Sequence, residues 1–192
     1  MKINLKSLIK PVCVLFLTAA LMAALLSGTN MFTKQKISAI SQKNELEAVK
    51  RVIPAKNYEK AQMQLNQKTY TYFTAISDGS VIGYAFSVSS DGYGGTVSAV
   101  TGIDNSGEIT AVEVTDVSGE TPGLGQNAKN AQFESQFNKK SGSLSVVKSN
   151  PNNQQVQAVT GATITSKAVT NAVNTALELF NSIKSGGDVS GT

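Results

Sequence analysis

Residues 159–169, VTGATITSKAV, place the hydroxyl side chains of Thr160, Thr163, Thr165 and Ser166 around a Gly161-Ala162 pair. The chain contains no histidine, so these hydroxyls have no imidazole to activate them, and Ser-His-Asp catalysis is excluded. A different chemistry is open to them. Thr163, Thr165 and Ser166 fall at the expected N-cap and first turn of a helix, where free backbone N–H groups and the positive end of the macrodipole favour a phosphate. Gly161 and Ala162 leave room for such a group against the backbone. On these residues alone two readings stand: a phosphate site, or a helix start capped by a hydroxyl.

Two glycine-dense segments precede this stretch, DGYGG (91–95) and GETPGLGQ (119–126). Glycine at this density permits positive φ and close approach of N–H groups to a ligand, although tight turns make the same demand. Composition narrows the field further. With Cys13 as the single cysteine, an internal disulfide is impossible, and soft metal sites and four-cysteine iron–sulfur clusters are excluded. Any redox or group-transfer role would therefore need a bound organic cofactor. The absence of tryptophan leaves few stacking platforms, and nothing suggests a nucleic-acid partner.

The elements that must position these residues begin with an anchor. Residues 11–33 contain no Lys, Arg, Asp or Glu, and at about 1.5 Å per residue they cross a hydrocarbon core of about 30 Å. A cleaved signal peptide is the competing reading, because KINLKSLIK makes a good positive n-region; the apolar core is long for that role and no A-x-A site follows it. The net charge of +4 comes from the flanks of this run. Lys2, Lys6 and Lys10 precede it, while Lys34, Lys36, Lys43, Lys50 and Arg51 follow, as suits segments beside anionic membrane lipid. Lysines on both sides leave the positive-inside rule undecided. A short basic tail, one span and a long domain are the usual pattern of a signal anchor with its domain on the extracytoplasmic side. The expected organisation is a cytoplasmic tail (1–10), a transmembrane helix (11–33), a helical connector (34–60), a folded domain (61–184) and a flexible tail (185–192).

Within the connector, Leu46, Val49 and Ile53 recur at helical spacing, and Pro54 ends the pattern. Strand-like runs at 70–76 and 81–88 flank Asp78-Gly79, and runs at 96–103 and 108–114 flank DNSG; each pair predicts a hairpin. A short helix at 131–138 and a strand at 143–149 follow. The strongest periodicity comes last: Ala168, Val169, Ala172, Val173, Ala176, Leu177, Phe180 and Ile183 recur three and four apart, which predicts an amphipathic helix packed on the sheet. The fold class expected is α+β, a single transmembrane helix followed by an antiparallel sheet with packed helices. Tyr70, Tyr72 and Phe73 are expected to pack within that sheet.

Taken together, GYGGTVSAVTGIDNSGEITAVEV, ETPGLG and TGATITSKAV resemble the FMN-binding domain family, and specifically the G subunits of Rnf-type ferredoxin:NAD oxidoreductases. The resemblance runs from the anchor to the final helix. It implies an electron-transfer subunit of a membrane-bound complex that couples ferredoxin oxidation and NAD reduction to ion translocation. It also implies covalent FMN, attached by a flavin transferase to the last hydroxyl of the motif Thr160-Gly161-Ala162-Thr163-Ile164-Thr165, so that Thr165 is the acceptor. Ser166 adjoins it. Glu120, Thr121, Gly123, Leu124 and Gly125 would then lie near the flavin, as would Tyr93, Gly94 and Gly95. The implied partners are the other subunits of the complex, the transferase and membrane lipid. Two other readings are the C subunit of a sodium-translocating NADH:quinone oxidoreductase, and a membrane-anchored flavin or phosphate-ligand module without redox role.

Overall fold

The structure is a computed structural model and describes residues 5–186; the first four residues and most of the expected tail, 187–192, lie outside them. The chain divides into two compact units, Met1–Lys43 and Asn44–Thr192. One helix, α1 (Leu5–Val52), runs through the first unit and into the second, with Pro11 inside it. The sequence read as two separate helical segments is thus continuous. Pro11 falls in the second turn, where the ring disturbs little of the preceding helix. Ile9–Asn30 is long and apolar enough to cross a membrane, at about 33 Å for its length.

The second unit is built on a five-stranded antiparallel meander in the order β1-β2-β3-β4-β5: β1 Asn57–Leu65, β2 Lys68–Ser77, β3 Ser80–Asp91, β4 Thr96–Asp104 and β5 Ile109–Asp116. Both expected hairpins are present. Ser77 pairs with Ser80 across Asp78-Gly79, whose φ values of 53° and 76° are those of the primed turn that matches strand twist. Strand β1 is an addition that the sequence reading placed partly in the helical connector. Its run NYEKAQMQL is mostly polar because it forms the sheet edge, where charged side chains discourage further pairing. The expected strand 143–149 is present in shortened form as β6 (Ser145–Val147); its parallel partner β7 (Gln155–Gln157) is an addition, too short to show a period.

Both faces of the sheet are covered. On one, Tyr72, Phe86, Val88, Val97, Ile103 and Val114 pack in a single apolar core with Val169, Val173, Ala176, Leu179 and Phe180 of α3 (Thr163–Lys184). On the other, Phe73, Ala75, Ala85 and Val100 meet Ala48, Val49, Val52 and Ile53. Tyr72 and Phe73 therefore point to opposite faces, and both are buried as packing residues. The end of α1 is tied down by its carbonyls, which a helix leaves without internal partners. Thr110 donates to the Val52 carbonyl at 2.6 Å and Tyr58 to that of Ile53 at 2.9 Å. Between β5 and β6 the expected helix 131–138 is a single α turn, α2 (Ala131–Glu134), that tightens into a 3-10 turn at Ser135–Phe137. Asn174 of α3 both donates to the Leu144 carbonyl and accepts from the Leu144 N–H, each at 2.9 Å, so a side-chain amide docks the start of β6 as a strand would.

Phe86 is fully buried in the middle of the larger core and stacks on Tyr72 at 5.9 Å between centroids. Truncating it to alanine should destabilise the second unit by about 3–5 kcal/mol and lower Tm by roughly 10 °C or more, measured by thermal unfolding of the detergent-solubilised full chain. A shift of only one or two degrees would contradict this core assignment.

Candidate functional site

Three segments converge at the start of α3. The loop between β3 and β4 (residues 92–95) folds back on itself, with the Gly92 N–H donating to the Gly95 carbonyl at 2.9 Å. It lies against the loop after β5, where an alanine at Gly94 would collide with the Gly119 carbonyl. That second loop is fixed from within: Gln126 donates to the Glu120 carbonyl at 3.1 Å and Asn127 to the Gly123 carbonyl at 2.7 Å. The third segment is the first turn of α3.

At the junction, the Thr165 hydroxyl donates to Glu120 Oε2 at 2.5 Å. Both residues are buried, at 1% and 3% exposure. The other carboxylate oxygen, Oε1, accepts the N–H groups of Tyr93 at 2.8 Å and Gly94 at 3.0 Å. One carboxylate thus joins all three segments. Burial by itself pushes the Glu120 carboxyl up, but the Thr165 hydroxyl and the N–H groups of Gly94, Tyr93 and Gly95 overcome this and hold it below the ordinary glutamate value. Gly125 completes the junction by having no side chain: a Cβ there would stand 2.5 Å from Glu120 Oε2 and 2.9 Å from Thr165 Oγ1.

The helix start differs from expectation in one respect. Neither Thr163 nor Thr165 caps it; the N-cap is Ala162, which offers no side-chain bond, and Thr163 is the first helical residue. The hydroxyls are engaged elsewhere. Thr165 turns to Glu120, and Ser166 accepts the Val159 N–H at 2.9 Å while donating to the Ala162 carbonyl at 2.9 Å. The N–H groups of Thr163, Ile164 and Thr165 have no acceptor within the helix. Gly161 enters the turn at φ 77°, a conformation that L side chains avoid.

Beside the junction lies a cleft of about 570 Å³ lined by Tyr93, Glu120, Thr121, Leu124, Gly125, Gly161, Ala162, Thr163, Ile164 and Thr165. Most of the expected site residues are therefore brought together. Gly94 contributes its N–H to Glu120, and Ser166 sits buried behind the cleft. Thr160 is turned away, lining a neighbouring cavity of about 500 Å³ with Asn127, Asn130 and Gln157. Gly123, at φ 74°, faces open space and serves the turn. Ile164, Gln126 and Asn127 were not foreseen. Ile164 was legible as the variable position inside the hydroxyl motif, whereas the amides carry no local signal. The mouth of the cleft is apolar: Tyr93, Leu124 and Ile164 are 72%, 45% and 52% exposed.

An FMN-binding domain matches residues 92–178, which takes in the two glycine loops and the first turn of α3. The G subunit of the Na(+)-translocating ferredoxin:NAD(+) oxidoreductase complex of Acetobacterium woodii is 32% identical, and the match spans 95% of this chain and 96% of that one. The chain belongs to the G-subunit family of ion-translocating oxidoreductase complexes. Its counterpart in the proton-translocating ferredoxin:NAD(+) oxidoreductase complex of Clostridium ljungdahlii is 38% identical, over 60% of this chain and 62% of that one. The fold is shared more widely. The C subunit of the Na(+)-translocating NADH-quinone reductase of Parabacteroides distasonis superposes with a TM-score of 0.60, at 21% identity, covering 79% of this chain and 94% of that one. In this G-subunit homologue the FMN-binding domain follows one long apolar helix.

The residues around the cleft fit FMN. Glycines at 125 and 161 let a phosphate approach the start of α3, whose free N–H groups suit an anion; the apolar mouth suits a flat aromatic ring.

Because the folded-state pKa of Glu120 is depressed, its ionised form stabilises the protein above the ordinary glutamate value of 4.5, and that contribution disappears as pH falls through the folded value. Wild type should therefore be more stable than Glu120→Gln at pH 7, and the gap between the two should narrow on acidification below that value. Denaturant unfolding at several pH values checks this; a gap unchanged from pH 7 to the acid limb would contradict the depressed pKa.

Proposed function

We propose that this chain is the FMN-carrying electron-transfer subunit of a membrane-bound complex that couples ferredoxin oxidation and NAD reduction to ion translocation, with FMN linked through its phosphate to Thr165 Oγ1. The observation that carries the reading is the position of Thr165: a hydroxyl in the first turn of α3, lining the cleft of the FMN-binding domain and held by Glu120. FMN supplies the one- and two-electron chemistry that this chain's own side chains lack. The names of its relatives support the complex and its reaction.

The roles of the chain's residues follow from where they stand. The unpaired N–H groups of residues 163–165 and the helix macrodipole stabilise a phosphodiester at Thr165, by about 0.3–1 kcal/mol where exposed and more where partly buried. Tyr93, Leu124 and Ile164, exposed at the apolar mouth of the cleft, would hold the ring, and Thr121 in the same lining would offer a hydroxyl to it. No nicotinamide fingerprint and no cysteine cluster occur in the sequence, so the ferredoxin and NAD sites belong to partner subunits. The apolar helix supports anchoring in the membrane, in contact with lipid, and a short basic tail ahead of one span and a long domain supports an extracytoplasmic domain, where a flavin transferase would mature it.

Co-expressed with a flavin transferase, the purified chain should retain a fluorescent flavin band on a denaturing gel and gain the mass of one esterified FMN. Thr165→Ala should lose both and Thr165→Ser should keep both. A band that survives in Thr165→Ala would place the tether elsewhere, and no band in wild type would leave FMN bound without a covalent link. The topology has its own check. With Cys13 replaced by Ser and Lys148, which is exposed, replaced by Cys, a membrane-impermeant maleimide should label the chain in intact cells; labelling only after lysis would put the domain in the cytoplasm.

A further inference from the structure

We propose that Glu120 is the general base for its own chain's flavinylation, accepting the Thr165 hydroxyl proton as Oγ1 attacks the FMN phosphorus of a flavin dinucleotide held by the transferase. This rests on the assignment of Thr165 as the attachment point and goes beyond it, because it moves one catalytic group from the modifying enzyme into the protein being modified.

The geometry is specific to one hydroxyl. The Thr165 proton points at Glu120 Oε2 across 2.5 Å, among the described residues no donor occupies the remaining lone pairs of Oγ1, and Thr165 is part of the cleft lining. Ser166 spends its hydroxyl on the Ala162 carbonyl, and neither Thr160 nor Thr163 has a carboxylate partner among the described residues. Four hydroxyls crowd the motif, and the carboxylate selects Thr165. Glu120 is in turn held from the far side by the Tyr93 and Gly94 N–H groups on Oε1, so that Oε2 is left for the proton. Carboxylates serve as the acceptor of a hydroxyl proton in phosphoryl transfer to protein side chains, where proton loss accompanies a loose transition state and a strong base is unnecessary.

The step balances. The Oγ1–P bond forms, the bond from that phosphorus to the bridging pyrophosphate oxygen breaks, AMP leaves with that oxygen, and the proton moves from Oγ1 to Oε2; nothing is oxidised or reduced. The proton also settles an electrostatic conflict. A new phosphodiester on Oγ1 would otherwise face the Glu120 carboxylate at contact distance, two like charges in a buried site. Neutral Glu120 instead donates a hydrogen bond to it. The other titratable or charged groups on the packed elements are few. Tyr93 is the one further such group in the cleft lining; Asp91 at the end of β3 and Lys167 on α3 are exposed.

The test is single-turnover flavinylation of the detergent-solubilised full chain with transferase and flavin dinucleotide, followed by intact mass from pH 6 to 8.5, with every variant rate divided by the wild-type rate at the same pH. Glu120→Gln keeps the shape and an acceptor oxygen for the loop N–H groups. Its relative rate should be about 100-fold or more below unity at pH 6 and should climb toward tenfold per pH unit, because hydroxide replaces the missing base. Glu120→Asp should recover at least tenfold over Glu120→Gln with a relative rate independent of pH, and it decides the matter if Glu120→Gln fails to fold. A Glu120→Gln rate within threefold of wild type, or a slowed rate whose ratio does not change with pH, overturns the base role. Thr165→Ala run alongside keeps the two ideas apart: if it gains the flavin mass, or wild type does not, the attachment site falls and the base role falls with it.

Discussion

The hydrogen bond between Thr165 and Glu120 is the constraint on which the site depends. A buried carboxylate is tolerated only when its oxygens are satisfied, and Glu120 meets that condition by drawing on two segments far from its own loop in sequence. A charged hydrogen bond of this kind contributes about 1.5–3 kcal/mol, and leaving the carboxylate unpaired would cost more. Among the described residues no buried side-chain nitrogen or oxygen lacks a partner. The loop 92–95, the loop 119–125 and the start of α3 are thereby committed to one another before any cofactor is considered.

What lets these segments meet is the sheet. The β3–β4 loop and the loop that follows β5 emerge at the same end of adjacent strands, because β4 pairs with both β3 and β5. Helix α3 lies across β3 and β4 on the large core, with Val169 and Val173 fully buried. That packing sets where its first turn stands. Glycine then permits the last approach: at Gly125 any side chain would enter the space of the bond itself.

Much of this was legible in the sequence. The α3 period, the two hairpin turns and the apolar span are signals carried by many residues each, and they correspond to α3, to the β2–β3 and β4–β5 hairpins and to the membrane-length stretch of α1. The motif residues were placed in one neighbourhood by resemblance, and nine of them line one cleft. What escaped was local and sparse. Strand β1 is polar because an edge strand has only one neighbour to pair with, and β7 is only three residues long. The role of Glu120 was the least visible of all. The resemblance put Glu120 near the flavin, but only the fold shows its carboxylate bonded to a threonine 45 positions away. The helix cap went the other way: Thr163 and Thr165 have the right composition for it, but a buried carboxylate competes more strongly for the Thr165 hydroxyl than a backbone N–H does.

The last turns of α1 also act as a layer of the folded domain. Ala48, Val49, Val52 and Ile53 cover Phe73, Ala85 and Val100, and Arg51 reaches Glu113 of β5 with two hydrogen bonds, of 2.6 and 2.7 Å. A protease that severs the chain upstream of Asn44 would release a domain with both faces of its sheet still covered. One that cuts between Asn44 and Val52 would strip an apolar face and leave a fragment prone to aggregate. Shedding from the membrane and loss of the fold are therefore separable at the level of a few residues, and the boundary between them falls inside a single uninterrupted helix.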